Sequence, residues 1–290
     1  MLKRRKMTFI EKLKKRWQEK KTMVCAGLDT ELDLLPQADW GLNPVLEFNK
    51  AIIDSTHPFV CAYKFNIAFY SADFSAPIWP QGEDNLRKSI GYIHKKYPEI
   101  PVILDSKRGD IENSSERYAR EAFEKFEADA VTVNPYFGQD SLQPFLDRKD
   151  KGIIILCRTS NSGAKVIQDK RVKIGIFKTL PLYQYIARLA VKEWNGNGNC
   201  LLVVGATYPR ELKEVRRIVG NLPILVPGIG EQGGDLEKAV KNGLDKEGQG
   251  LVISASRSII YASNKKDFAK VAGEQTEKLR DQINKIKEEI

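Results

Sequence analysis

The chain has 290 residues, 42% of them hydrophobic, with 47 Lys and Arg against 38 Asp and Glu and a net charge of +9 at pH 7. That length suits one large domain with a full core, and α/β barrels commonly reach it as a single unit. No apolar run is long enough to cross a bilayer, and the basic start MLKRRKMTFIEKLKKRW lacks the unbroken apolar centre of a secretory signal, so the expected setting is the cytoplasm.

Residues 1–21 hold ten Lys or Arg against Glu11 and Glu19, which leaves only +1 for the other 269 residues. The charge therefore belongs to one segment and gives no reason to assign a nucleic-acid or membrane partner. Thr8 and Glu11 have the spacing of a capping box, and Phe9, Ile10, Leu13 and Trp17 fall near one helical face. A basic helix within residues 1–21, docked on the domain by its apolar stripe, is expected. Apolar runs of strand composition then follow at Met23–Leu28, Phe59–Phe65, Val102–Ser106, Ala130–Asn134, Ile153–Cys157, Leu201–Val204, Ile224–Val226 and Leu251–Ser254. Helix-like segments lie between them, among them Ser115–Phe126, Leu182–Trp194 and Leu236–Lys241. Eight strands alternating with helices predict a parallel sheet, most simply a single (β/α)₈ TIM barrel over residues 1–290, with an open doubly wound sheet as the other topology the pattern allows. Residues 267–290 read as a charged terminal helix. Cys25, Cys61, Cys157 and Cys200 sit in separate apolar runs without CxxC spacing, which fits buried reduced thiols better than disulfides or a metal site.

In a barrel the chemistry lies at the carboxyl ends of the strands. Asp29 follows the first strand, Lys64 ends the second, Asp105 and Lys107 end the third, Thr159, Ser160 and Asn161 follow the fifth, and the fourth and sixth end in the blander VNPYFG and VGATYP. Within PVILDSKRGDI, residues 105 and 107 are two apart and project to one side of a strand, while Asp110 lies on the next loop, facing either the same pocket or a neighbouring subunit. Asp105 beside Lys107 and Lys64 would stay ionised, with both ammonium groups charged. Such an array can press a fixed negative charge on a substrate carboxylate and offer a proton where a carbanion forms. That is decarboxylation chemistry needing no cofactor. After the seventh strand, VPGIGEQGGD supplies Gly228, Gly230, Gly233 and Gly234, which let backbone N–H groups approach a phosphate, before a helix that Asp235 can cap. Arg257, after the eighth strand, adds a charged fork suited to phosphate oxygens. Only His57 and His94 exist, both away from strand ends, so histidine catalysis is not expected.

DSKRGDI, with YKFN upstream, TSNSGA in the middle and PGIGEQGGD followed by SRSI, resembles the orotidine 5′-phosphate decarboxylase family, in particular its longer bacterial-type subgroup, over roughly Phe9 to Ala262. The resemblance implies conversion of orotidine 5′-phosphate to UMP, the last step of de novo pyrimidine synthesis, by a homodimer without cofactor or metal. It implies a tetrad of Lys64, Asp105, Lys107 and Asp110, in which Lys107 donates the proton to C6, Asp105 stresses the substrate carboxylate and Asp110 reaches into the partner's site. It also implies ribose contacts from Asp29 and Lys64, a pyrimidine contact from Ser160, and a phosphate grip by Gln232 and Arg257 under the loop from Gly228 to Asp235. Where the family commonly has threonine, four residues after the last aspartate, this chain has Ser114, which keeps the hydroxyl and would also reach across the interface. Two other readings compete: a magnesium-dependent sugar-phosphate lyase or aldolase using the same acids, against which Lys64 argues because an ammonium competes with a cation, and a non-enzymatic nucleotide-binding or nucleic-acid-binding barrel using the basic first helix.

Overall fold

The computed structural model describes residues 5–38, 40–72, 81–229 and 233–290. Ten strands occur among them: β1 Val24–Gly27, β2 Ala62–Asn66, β3 Val102–Arg108, β4 Ala130–Val133, β5 Gly152–Arg158, β6 Arg171–Lys173, β7 Thr179–Pro181, β8 Cys200–Val204, β9 Ile224–Pro227 and β10 Leu251–Ala255. Eight of these pair in parallel and close into a barrel in the order β1-β10-β9-β8-β5-β4-β3-β2, so the closed (β/α)₈ topology holds and the open sheet does not. Most barrel strands are short runs rich in Val, Ile, Leu, Ala and Cys and buried over most of their length, as expected of parallel strands covered on both faces, whereas β2 (AYKFN) and the end of β3 (VILDSKR) carry charged residues. All four cysteines are buried and free.

The expected strands are all present, with shifted ends. β2 begins at Ala62 because His57–Phe59 forms a 3₁₀ turn with Pro58 in its first positions. The antiparallel hairpin β6–β7, inserted after β5, was not anticipated; its strands are three residues long and largely exposed, and so lack an alternating apolar signal. The segment expected as a helix over Ser115–Phe126 is a helix from Glu112 to Arg120 followed by a π-turn over Glu121–Lys125, and Leu182–Trp194 divides in the same way at Ala190. The terminal helix runs from Phe268 to Glu288.

The basic first helix spans Phe9–Glu19 and closes the barrel at the amino ends of the strands. Thr8 and Glu11 form the capping box, and Phe9, Leu13 and Trp17 are buried. Two of its cations are buried as well. Lys12 Nζ meets Asp129 Oδ1 at 3.0 Å, and Arg16 donates through Nε and Nη2 to the Val60 carbonyl at 2.9 and 2.6 Å. Asp129 also receives His94 Nε2 and the Val102 amide, which outweigh its burial and hold its carboxyl well below the usual range. Both histidines are thus at the end of the barrel remote from the cavity, with His57 stacked on Tyr97. No helix among the described residues is long and apolar enough to cross a membrane.

Candidate active site

A cavity of about 340 Å³ opens at the carboxyl ends of the barrel strands. Its charged wall comes from β1, β2 and β3, which are neighbours in the barrel. Lys64 Nζ donates to Asp29 Oδ1 at 3.3 Å and to Asp105 Oδ2 at 3.4 Å, standing between the two carboxylates. Lys107 Nζ donates to the other oxygen of Asp105, Oδ1, at 2.7 Å. Burial alone would raise the Asp105 pKa; Lys64 and then Lys107 more than offset it and hold the carboxyl at about 2. Burial likewise penalises the Lys64 ammonium, but Asp29 and Asp105 outweigh it and raise its pKa above the ordinary lysine value. Asp105 and Lys64 are 8% and 5% exposed, so these are fixed charges in a place where unpaired ones would be expelled.

Asp29 is fixed from two sides. The Asn66 amide donates to its Oδ1 at 3.1 Å, and Ser256 Oγ donates to its Oδ2 at 2.8 Å. Ser256 was not singled out from the sequence, although it stands next to Arg257 in ISASRS. Ser160 lines the cavity and is packed against Gly205 at the end of β8: a Cβ on that glycine would lie 2.7 Å from the Ser160 Cα. The Ser160 loop is tied down by Gln168, whose Oε1 accepts from the Thr159 amide at 3.0 Å and from Arg158 Nη1 at 3.1 Å. The apolar wall includes Phe69, Leu156, Val203, Leu225 and Ile229.

At the side of the mouth formed by β9 and β10 lie Gly228 and Arg257. Gly228 and Gly233 have φ of +94° and +73°, and the Gly234 amide donates to the Gly228 carbonyl at 3.1 Å, pinching the loop at its base. A Cβ on Gly234 would come within 2.5 Å of that carbonyl oxygen, so the close approach requires glycine. Asp235 caps the helix Leu236–Gly243 as expected, accepting from the Lys238 amide at 3.0 Å. Arg257 opens the short helix Arg257–Ile260, with Nη2 3.3 Å from Glu31 Oε1. Gly230 and Gln232 lie outside the described residues.

Four of the expected site residues that are described do not line the cavity: Gly233 and Gly234 in the loop after β9, and Asp110 and Ser114. Asp110 accepts from the amide of the next residue, Ile111, at 2.8 Å, and Ser114 is exposed on the helix that begins at Glu112. Near them on the surface, Ile111, Tyr136 and Phe137 are 52%, 81% and 49% exposed. Lys107 also departs from the simple picture. Its side chain does not reach Asp105 by regular strand alternation, because β3 and β4 shift register between Leu104 and Arg108 and Lys107 has a φ of +50°. The residue that meets this bulge is Thr132 of β4, a strand whose end had looked bland: its Oγ1 donates to Asp105 Oδ1 at 2.8 Å and accepts from the Lys107 amide at 2.9 Å. A threonine in an apolar strand carries no signal of this until the register shift is known.

A model of the orotidine 5′-phosphate decarboxylase / HUMPS family matches residues 22–272. A protein of Cellvibrio japonicus named orotidine 5′-phosphate decarboxylase is 50% identical over 281 residues, covering 96% of this chain and 98% of that protein. One of the same name from Janthinobacterium sp. (strain Marseille) is 48% identical, covering 96% and 99%. Among solved structures, an OMP decarboxylase of Leishmania donovani matches with a TM-score of 0.80 at 36% identity, covering 97% of this chain and 99% of that one.

Proposed function

We propose that this chain, which belongs to the orotidine 5′-phosphate decarboxylase family, converts orotidine 5′-phosphate to UMP in its barrel cavity with protein groups alone. The observation that carries the reading is the buried Asp105 carboxylate held between Lys64 and Lys107 at the carboxyl end of the barrel. An ionised Asp105 next to the substrate carboxylate raises the energy of the bound ground state, and departure of that carboxylate as carbon dioxide relieves it. The C6–carboxylate bond breaks, its electron pair stays on C6, and Lys107 supplies the proton that makes the new C–H bond. The Lys107 side chain is 46% exposed, so water can return its proton. Lys64 counters the charge of both carboxylates and, with Asp29, faces the ribose hydroxyls. Ser160 faces the pyrimidine.

Arg257, Gln232 and the loop from Gly228 through Gly230, Gly233 and Gly234 receive the phosphate. The phosphate takes no part in bond breaking, so its binding energy serves to hold the reacting end against the charged wall. Asp110 and Ser114 serve the partner's cavity in a homodimer. Their position outside their own cavity, beside exposed Ile111, Tyr136 and Phe137, supports this assignment. Four free, buried thiols suit a reducing cytoplasm.

The test follows the loss of pyrimidine absorbance on adding orotidine 5′-phosphate, with and without EDTA. Turnover at the same rate in both supports the proposal. Folded protein without turnover sinks it, and turnover abolished by the chelator returns the site to the metal-dependent reading.

A further inference from the structure

Between Leu104 and Arg108 the β3 chain advances four residues while its β4 partner advances only two, from Val131 to Val133. Asp105, Ser106 and Lys107 therefore face a single residue, Thr132, and the regular ladder is lost where the two charged side chains must be aimed. A partly buried amide without a partner is costly, and so is a left-handed backbone at a residue that has a Cβ. Thr132, 1% exposed, relieves the first cost and holds the second in place. Its Oγ1 accepts the Lys107 amide at 2.9 Å, standing in for a ladder carbonyl, and donates its one proton to Asp105 Oδ1 at 2.8 Å. Both capacities of the hydroxyl are thereby engaged by the reacting pair, and Asp105 Oδ1 is turned to where Lys107 Nζ meets it at 2.7 Å.

We propose that Thr132 is a positioning residue of the reaction, whose hydroxyl locks the β3 bulge and sets the Asp105–Lys107 geometry without touching substrate; this rests on the decarboxylase reading of the cavity. A group of this kind acts on the transition state more than on binding, because the remote contacts that hold the ribose and phosphate lie on other strands. Thr132→Val keeps the shape, removes both hydrogen bonds and leaves the Lys107 amide unpaired. Thr132→Ser restores the hydroxyl without the methyl.

The experiment measures kcat and KM for orotidine 5′-phosphate, and UMP affinity by calorimetry, for the wild-type chain and the Val, Ser and Ala variants, with thermal melts alongside. The valine chain is expected to lose roughly 100-fold in kcat, the order reached by small misplacements of reacting groups, with KM and UMP affinity close to wild type. Serine is expected to restore most of the kcat. A valine chain with wild-type kcat, or one whose loss appears only in KM, overturns the proposal. If the valine chain does not fold, serine against alanine makes the same comparison, and equal kcat values overturn it. A wild-type chain that fails to turn over overturns the decarboxylase reading itself, a result separable from the other two.

Discussion

Asp105 shows how one residue can be both a cost and an instrument. Its carboxylate is buried, yet Lys64 and Lys107 keep it ionised at a pKa of about 2, below its ordinary 3.8. A carboxyl whose folded pKa is depressed stabilises the fold above its unfolded pKa and loses that contribution as the pH falls through the folded value. The wild-type chain should therefore lose on the order of 2 kcal/mol more stability than Asp105→Asn between pH 5 and pH 2. Denaturant melts at the two pH values measure this, and equal losses would contradict the assignment of the shift. Lys64 has the opposite sign: its raised pKa adds stability below the ordinary lysine value, lost only as the pH rises through the folded one, so neither group titrates near neutrality. The Lys107→Ala chain should lose several powers of ten in kcat, each worth about 1.4 kcal/mol of barrier. Activity near wild type in a folded chain would remove Lys107 from its role as proton donor.

At the scale of elements, the site depends on close approaches between loops of different strands. Gly205, at the end of β8, lets the Ser160 loop after β5 lie against it. Gly205→Ala would place a methyl 2.7 Å from the Ser160 Cα, so the loop must shift. The expected result is a KM raised by about tenfold or more, with a fold stable enough to purify, because the displaced group is the proposed pyrimidine contact and lies outside the charged wall. An unchanged KM would show that Ser160 makes no productive contact. The bulge in β3 makes the same point from the other side: Lys107 is aimed by a break in the regular strand and would be misdirected by a perfect one.

For the molecule as a whole, the question is whether one chain makes a complete site. Asp110 does not line its own chain's cavity and accepts from the Ile111 amide, so the proposed tetrad would draw this residue from a second copy. Lys107→Ala and Asp110→Ala chains, each nearly inactive alone, should regain activity when unfolded together and refolded, because mixed dimers contain one cavity with both native groups. The expected recovery approaches about a quarter of the wild-type activity for random pairing of equal amounts. No recovery, with dimers present by light scattering, would return Asp110 to its own chain's chemistry. The first helix belongs to this scale too. Its positive charge is partly consumed in the fold, with Lys12 on Asp129 and Arg16 on backbone carbonyls beneath the barrel, as a docked helix requires.

The sequence by itself determined the eight apolar runs, their alternation with helices and the polar residues at their carboxyl ends, because burial imposes a local pattern on every strand and the βα order dictates parallel pairing. It also determined the capping box at Thr8 and the cap at Asp235, which depend on neighbours within three residues. Only the tertiary structure decided that Thr132 and Ser256 belong to the charged wall, that Lys107 sits on a bulge, and that Asp110, which the sequence left between its own pocket and a neighbouring subunit, does not line its own chain's cavity. Those facts depend on register, closure and the meeting of residues up to 227 positions apart, as Asp29 and Ser256 are. A serine or threonine in an apolar strand looks the same whether its hydroxyl bonds its own backbone or the carboxylate of the next strand, and only closure of the barrel distinguishes them.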